Sequence, residues 1–208
     1  MDPKILIALT IILIIGELYM QYMTRKKRDD LVGKLSQALA KKDYKTFDEL
    51  LEDPLTRKLI PAYNVAFMKL NKQILKEDKA GIDKAFDEFT MPMNKAQKEA
   101  LYKRAFYYYV STEDKSKART YYDLLKDVKP QDEQVIDVFY DTYVLKGSKY
   151  IDLMNEQLQQ TPKEEDRMPI YAMLADMYRN AGNEEKAKEL EKIVSDFTDK
   201  FIAENKTE

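Results

Sequence analysis

The feature that most constrains the fold is a short polar turn that recurs about every 35 residues along most of the chain. The turns are spaced 35, 36, 34 and 35 residues apart, at Lys42, Glu77, Glu113, Gly147 and Gly182. On either side of each turn, apolar residues recur at i, i+4 and i+7, the pattern of a helix that buries one face. A period this regular in paired helices predicts an all-α fold, an α-solenoid of about five helix pairs.

The pattern places the five helix pairs within residues 29–52, 61–89, 94–127, 131–160 and 164–203. The first helices carry the apolar columns Leu31, Leu35, Ala38; Ala66, Leu70, Gln73; Tyr102, Phe106, Tyr109; Ile136, Tyr140, Tyr143; and Tyr171, Ala175, Tyr178. The second helices carry Phe47, Leu51; Ile82, Phe86, Phe89; Ala118, Tyr122, Leu125; Ile151, Met154, Leu158; and Ala187, Val194. Pro54, Pro92, Pro130 and Pro162 fall between pairs, where a helix is expected to stop.

Two of the five units carry small and aromatic residues at further characteristic distances. They are Ala175, Tyr178, Gly182 and Ala187 in the fifth unit, and Tyr109, Ala118, Tyr122 and Pro130 in the third. With this pattern the chain resembles the tetratricopeptide repeat family over residues 29–203. The other three units keep the apolar spacing, but Leu35, Leu70 and Tyr140 stand where the family usually has a small residue.

The resemblance implies a concave groove, lined by the first helices, that binds an extended peptide or a partner helix. Carried over by register, the groove residues are Asn64, Phe67, Asn71, Lys103, Tyr107, Asp137, Asp141, Asp176 and Arg179. This set lacks the grouped Lys, Arg and Asn residues with which some family members hold a C-terminal carboxylate. Its acidic end favours a basic partner segment. The tyrosines at 107–109 allow two interpretations, an aromatic groove or core filling, and the apolar columns favour core filling.

The N-terminal stretch, residues 5–23, predicts a single transmembrane helix. It is 19 residues long and mostly apolar, and a span needs about 20 such residues. Asp2 and Pro3 form a suitable helix start. The basic residues Arg25, Lys26, Lys27 and Arg28 follow the stretch and predict that this flank stays in the cytoplasm.

From these features we predict a membrane anchor with its basic flank in residues 1–28, a helical repeat domain in 29–203, and a disordered tail in 204–208. The predicted location is the cell membrane, with the N-terminus outside and the repeat domain in the cytoplasm. A cleaved signal peptide, a buried core helix and an in-plane interfacial helix are the competing interpretations of residues 5–23. Glu17 either pairs with another membrane helix or lies at the membrane boundary, and its nearness to the basic flank favours the boundary.

The sequence gives little support for catalysis or for nucleic-acid binding. There is no cysteine and no histidine, and we find no phosphate-binding loop, nucleophile motif or metal-ligand spacing. Residues 29–208 hold 30 basic and 35 acidic side chains, a net charge of −5, whereas a nucleic-acid binder needs a basic face. We therefore predict no enzyme activity, cofactor, metal, nucleic acid or small-molecule substrate.

These inferences lead to one main hypothesis and two others. The main hypothesis is a membrane-anchored scaffold or adaptor that binds a protein or peptide partner at the cytoplasmic face of a bacterial membrane. The second places the same fold on the exported side as an envelope chaperone beside the translocation machinery, or on an organelle as an import receptor. The third is an enzyme or an enzyme's regulatory subunit, which the residue composition disfavours.

Overall fold

A computed structural model of the chain describes the backbone of residues 3–205 and the side chains of residues 16–203. Over these residues the chain contains helices and no strand. The helices are α1 Pro3–Ala40, α2 Tyr44–Glu52, α3 Pro54–Leu59, α4 Ala62–Leu75, α5 Lys79–Asp87, α6 Lys95–Ser111, α7 Lys115–Val128, α8 Glu133–Phe139 with a π-helical continuation Tyr140–Val144, α9 Ile151–Gln160, α10 Glu164–Asn180 and α11 Glu184–Asn205. The predicted all-α class is confirmed, and the helices are consistent with an α-solenoid.

The structure corrects the predicted membrane anchor. None of the helices in the described part of the chain is both long and apolar enough to cross a membrane. The predicted single-pass location, with residues 5–23 as the span and the repeat domain in the cytoplasm, is therefore wrong. The side chains of residues 5–15 lie outside the described residues, whereas from residue 16 onwards α1 places polar groups such as Glu17 and Gln21 among its apolar ones.

The chain divides into two compact units, Met1–Met93 and Asn94–Glu208. The predicted boundary after residue 28 falls inside α1, which runs without a break through residues 28 and 29. Arg25, Lys26, Lys27 and Arg28 are exposed on this helix, and the Arg28 guanidinium lies 3.4 Å from the Asp29 carboxylate. Of the predicted tail, residues 204 and 205 belong to α11, and residues 206–208 lie outside the described residues.

In the N-terminal unit, one apolar core joins α1, α2 and the chain that follows them. Its buried residues are Leu31, Leu35, Ala38, Phe47, Leu51 and Ile60. Val65 and Met68 of α4 pack against this core, so the second helix pair covers the first. An ion pair of 2.7 Å between Asp48 on α2 and Lys72 on α4 lies beside the apolar contact.

In the C-terminal unit, α10 packs against α9 on one side and α11 on the other. The core here consists of Val138, Met154, Ile170, Met173, Leu174, Ala175, Met177 and Leu190. The α6–α7 pair buries its own set, Leu101, Ala105, Phe106, Tyr109, Ala118 and Leu125. Most positions of the predicted apolar columns are buried, with Leu35, Phe47, Leu70, Phe106, Ala118, Ile136 and Ala187 fully so, and this part of the prediction is confirmed.

Four of the predicted turns share one geometry. The residue at the centre of each is left-handed, with φ of 56° at Lys42, 56° at Glu77, 58° at Glu113 and 80° at Gly182. The next residue, Asp43, Asp78, Asp114 or Asn183, donates its backbone N–H to the carbonyl five residues earlier at 2.8–3.2 Å. Its side chain accepts a hydrogen bond of 3.0–3.1 Å from the backbone N–H three residues later. Each turn thus ends one helix with a Schellman motif and caps the next.

The fourth turn is different. The predicted helix over residues 131–145 is instead the short α8 followed by the π-helical residues, in which the Leu145 N–H reaches the carbonyl of Tyr140. The left-handed position in this turn is Lys146, with φ of 55°, one residue before the predicted Gly147. α9 then begins after Tyr150 with no side-chain cap.

One helix, α3, is absent from the sequence-based prediction. Pro54 was expected to separate helices, but it occupies the first turn of α3, where a proline costs no hydrogen bond. The Asp53 side chain caps this helix by accepting from the Leu55 N–H at 2.7 Å. The dipeptide Asp53-Pro54 is therefore a helix start and not only a helix stop.

Candidate functional site

The predicted groove residues of the N-terminal unit lie along one side of α4. Asn64, Phe67 and Asn71 follow one another at i, i+3 and i+7, so the helix places them in a row. Asn64 is exposed, whereas Phe67 and Asn71 are half-buried. The Phe67 ring centroid lies 5.8 Å from that of Tyr63 and 6.4 Å from that of Phe89, so this ring already packs within its own unit.

On α6 in the C-terminal unit, Lys103 and Tyr107 are one helical turn apart. The Lys103 ammonium lies 2.8 Å from Glu99 and 2.6 Å from Asp132, so a neighbouring segment neutralises its charge. The Tyr107 ring meets Phe139 of α8 edge-on, with centroids 5.1 Å apart. Burial raises the pKa of the Tyr107 hydroxyl, which keeps it neutral at physiological pH.

Asp137 on α8 takes part in a network between α7 and α8. It accepts a hydrogen bond of 2.9 Å from the Tyr122 hydroxyl and lies 3.1 Å from the Lys126 ammonium, which also pairs with Glu133. The Tyr122 ring stacks on Tyr140 at a centroid distance of 3.8 Å. Burial, followed by the bond to Asp137, raises the pKa of Tyr122 to about 12. The Asp137 charge therefore serves internal contacts.

Asp141 stabilises the fourth turn through two hydrogen bonds. Its carboxylate accepts from the Lys149 N–H at 3.1 Å, and its backbone carbonyl accepts from the Gly147 N–H at 2.8 Å. A β-carbon added at Gly147 would lie only 2.5 Å from the Asp141 carboxylate, so the glycine is required for this approach. Asp141 acts here as a turn residue.

Asp176 and Arg179 on α10 are also paired within the unit. The Arg179 guanidinium lies 3.0 Å from Asp176, 3.8 Å from Glu184 and in direct contact with Glu191. Asp176 further forms a hydrogen bond with Tyr143, whose pKa rises to about 12, mainly through burial and then through the Asp176 charge. Each predicted groove residue of the C-terminal unit thus has an internal partner.

The C-terminal unit also contains an apolar cleft of about 230 Å³ among α8, α9 and α10. Its walls include Val135, Val138 and Phe139 from α8, Leu153 and Met154 from α9, and Pro169, Ile170 and Met173 from α10. The cleft exists because α9 packs closely against α10 but approaches α8 less closely. Val135 is 48% exposed, which is unusual for a valine on a helix of the core.

The rim of the cleft is polar, and the helices that form it carry more acidic than basic side chains. The exposed side chains of Gln134 and Gln157 border it and supply both hydrogen-bond donors and acceptors. The helix segments 133–139, 151–160 and 164–173 carry seven acidic side chains and a single basic one, Arg167. Arg167 donates to the Thr161 carbonyl at 2.6 Å, so its head is engaged with the preceding loop. An apolar cavity formed by helices with an excess of acidic side chains can hold an apolar group that is flanked by positive charge.

The sequence analysis did not identify this cleft, although a signal was available. Val135, Phe139 and Leu153 are apolar residues outside the apolar columns, on helices whose columns already supply a core face. Such surplus apolar residues indicate a second packing surface.

A second cleft among the described residues carries less chemistry. A cleft of about 290 Å³ in the N-terminal unit is lined partly by Arg57, Lys69 and Glu88, so its walls mix both charges with apolar groups. In the part of the chain that the structure describes, no three acidic side chains come close enough together to hold a metal ion.

Comparison of the chain with protein-family models, with curated proteins and with solved structures finds no match.

Proposed function

We propose that the chain is a non-enzymatic adaptor built of tetratricopeptide-like helix pairs, which binds a protein or peptide partner along the exposed side of its first helices. The observation that carries this proposal is the repeated turn, in which a left-handed residue and a capping Asp or Asn recur with the same hydrogen bonds in four places. Turns of one geometry that recur at a regular period are typical of helical repeat proteins, which present extended binding surfaces.

The packing within each unit supports the same proposal. A single helix pair cannot bury its apolar face alone, and here α4 covers the core of the first pair while α10 lies between α9 and α11. Exposed residues remain on first helices, among them Asn64 on α4 and Ala172 on α10. Such a surface suits an extended segment or an amphipathic helix of a partner.

The residue types of the chain favour binding over catalysis. Without histidine or cysteine, the chain lacks the usual general base and the most reactive nucleophile at neutral pH. Four tyrosines of the described residues have raised pKa values, Tyr63, Tyr107, Tyr122 and Tyr143. They therefore remain neutral, whereas a nucleophile needs a lowered pKa.

The proposal is tested by site-specific photo-crosslinking in cells that produce the full chain. A photoreactive residue is placed at Asn64 on α4 or at Ala172 on α10, both exposed on first helices. Matched positions on second helices are Arg119 of α7 and Lys192 of α11, which are exposed as well. We expect protein adducts from the first-helix positions and few from the second-helix positions.

Adducts formed equally from both sets of positions would contradict binding along the first helices. Absence of protein adducts from all four positions would contradict the adaptor function itself.

A further inference from the structure

We propose that the apolar cleft among α8, α9 and α10 binds a basic amphipathic segment of a partner protein, with an apolar side chain of that segment inserted between Val135 and Met173. This inference rests on the proposed adaptor function and specifies the chemistry of the partner. It follows from the size of the cleft, the residue types of its lining and the acidic side chains on the helices that form it.

The size of the cleft favours a side chain over a complete small molecule. Its volume is about 230 Å³, whereas pockets for drug-sized ligands and cofactors start at about 300 Å³. A space of this kind accommodates one or two large apolar side chains. Peptide recognition by helical grooves uses such anchors, spaced at i, i+3, i+4 and i+7 on the bound helix.

The walls of the cleft combine a fixed side with an adaptable one. The Phe139 ring is held by Tyr107 at 5.1 Å and by Tyr143 at 5.4 Å, so the α8 wall is braced from two directions. Met154 and Met173 form part of the opposite wall. Methionine side chains are flexible and polarizable and adapt to apolar anchors of different shapes.

The charge around the cleft selects a basic segment. The α8 carboxylates Glu133 and Asp137 are paired with Lys126, so they contribute little to a partner. Asp152 and Glu156 on α9 are exposed, and Glu156 accepts only a neutral amide bond from Gln160. Exposed acidic residues also fill the first turn of α10, at positions 164, 165 and 166. These exposed acidic groups lie on two of the helices that form the cleft, and they complement lysine or arginine residues flanking an apolar anchor.

The inference is tested by fluorescence anisotropy with the full chain and three labelled synthetic peptides of about 18 residues, a length that forms a helix across the cleft. The first peptide has leucines on one helical face and lysines elsewhere. The second replaces every lysine by glutamate, and the third has the composition of the first with its leucines spread around the helix. We expect the first peptide to bind at least about tenfold more tightly than either of the others.

Two variants test whether binding occurs at this cleft. The double substitution Asp152→Lys with Glu156→Lys should weaken binding of the first peptide about tenfold, because surface charge pairs are lost and replaced by repulsion. The matched control is Asp196→Lys with Asp199→Lys on α11, which changes the net charge equally at exposed positions outside the cleft lining and should change affinity less than about twofold. Val135→Ser, at an exposed position that tolerates substitution, should weaken binding about fivefold through loss of apolar contact.

Several outcomes would overturn the inference. Equal affinity for the three peptides would contradict an apolar anchor with basic flanks, and an equal loss in the α11 control would show binding by net charge alone. A dimer in sedimentation that Val135→Ser dissociates would show that a second copy of the chain fills the cleft. Failure of all peptides, with crosslinks still obtained at Asn64 and Ala172, would refute this inference and leave the adaptor function intact.

Discussion

The third and fourth helix pairs lie in the same unit but are built differently. α6 and α7 pack against each other along their length, and their turn combines left-handed Glu113 with the capping residue Asp114. In the fourth pair, α8 ends in a π-helical turn, α9 begins without a side-chain cap, and α9 packs on α10 in preference to its own first helix. The cleft lies beside the pair with the irregular turn.

The comparison shows how a change in one turn can create a site. A left-handed residue followed by an Asp cap reverses the chain sharply and returns the second helix onto the first, which closes the space between them. In the fourth pair, α9 begins five residues after left-handed Lys146, whereas the other second helices begin two residues after theirs. The chain from Leu145 to Tyr150 is stabilised instead by Asp141 and by Asn180 of α10. The second helix is thereby displaced towards the next pair, and apolar side chains of α8 remain accessible.

The largest expected difference between the two pairs concerns one phenylalanine from the first helix of each. Phe106→Ala on α6 removes a fully buried ring and should lower the free energy of unfolding by about 3–5 kcal/mol. Phe139→Ala on α8 removes a half-buried ring that borders the cleft and should cost about 1–2 kcal/mol, because part of the ring contacts no protein atoms. Urea denaturation followed by circular dichroism measures both values. Equal costs would mean that α8 is packed as tightly as α6.

A smaller effect is expected from the amide that stabilises the fourth turn. The Asn180 side-chain nitrogen donates to the carbonyls of Thr142 and Gly147 at 2.9 and 3.0 Å. Asn180→Ala leaves both carbonyls without this donor and should cost about 2 kcal/mol. It should also speed amide hydrogen exchange over residues 140–149, because the π-helical turn loses its support from α10.

The control for this substitution is Asn183→Ala, which removes the side-chain cap of α11 and should cost about 1 kcal/mol. This variant should leave exchange over residues 140–149 as in the parent. If Asn180→Ala changed exchange no more than the control did, the π-helical turn would be stable by itself, and α10 would not hold the fourth turn in place.

These contrasts also explain which parts of the structure the sequence predicts. The regular helix pairs are predicted because their signals are local, an apolar stripe with helical spacing and an Asp or Asn directly after each turn. The π-helical turn is hidden because Tyr140 and Tyr143 keep the spacing of a normal helix face across the extra residue. Which helix α9 packs against is a tertiary property, and no pattern within residues 151–160 determines it.

The candidate site, too, was predictable from the sequence only in part. The register assigned Lys103 and Arg179 to the first helices correctly, but it carried no information on their partners Asp132 and Glu191, which come from other segments. The cleft depends on the separation of α8 from α9, which only the folded arrangement reveals. The membrane prediction rested on the hydropathy of one N-terminal stretch and is wrong, because no helix in the described part of the chain is long and apolar enough to cross a membrane.

Stability at alkaline pH tests two tyrosine contacts, one on each side of the fourth pair. Tyr122 of the third pair and Tyr143 of the π-helical turn both have a pKa of about 12, raised above the usual value of 10.0 chiefly by burial. A raised pKa means that the neutral form stabilises the fold. This stabilisation is complete below pH 10, decreases as the unfolded chain ionises first, and is lost as the pH rises through 12.

Urea midpoints measured from pH 9 to pH 12, with tyrosinate absorbance recorded in parallel, should therefore fall with rising pH. Tyr122→Phe and Tyr143→Phe should each flatten this decrease, since neither replacement can ionise. Tyr22→Phe, at a residue that is 62% exposed on α1, is the control and should follow the parent profile. A flattening by Tyr143→Phe alone would place the pH-sensitive contact between the π-helical turn and α10 and not at the third pair.

The smallest expected effect compares the two left-handed turn residues directly. Glu113→Gly relieves a side chain held at φ of 58° and should stabilise the protein by about 0.5–1 kcal/mol. Lys146→Gly relieves a similar φ of 55°, but it creates two consecutive glycines with Gly147, and the added freedom of the unfolded chain should cancel much of the gain. Gly182→Ala, at φ of 80°, serves as the inverse control and should cost about 1 kcal/mol. Urea denaturation of the three variants measures these differences, and a larger gain from Lys146→Gly than from Glu113→Gly would locate backbone strain in the fourth turn, next to the cleft.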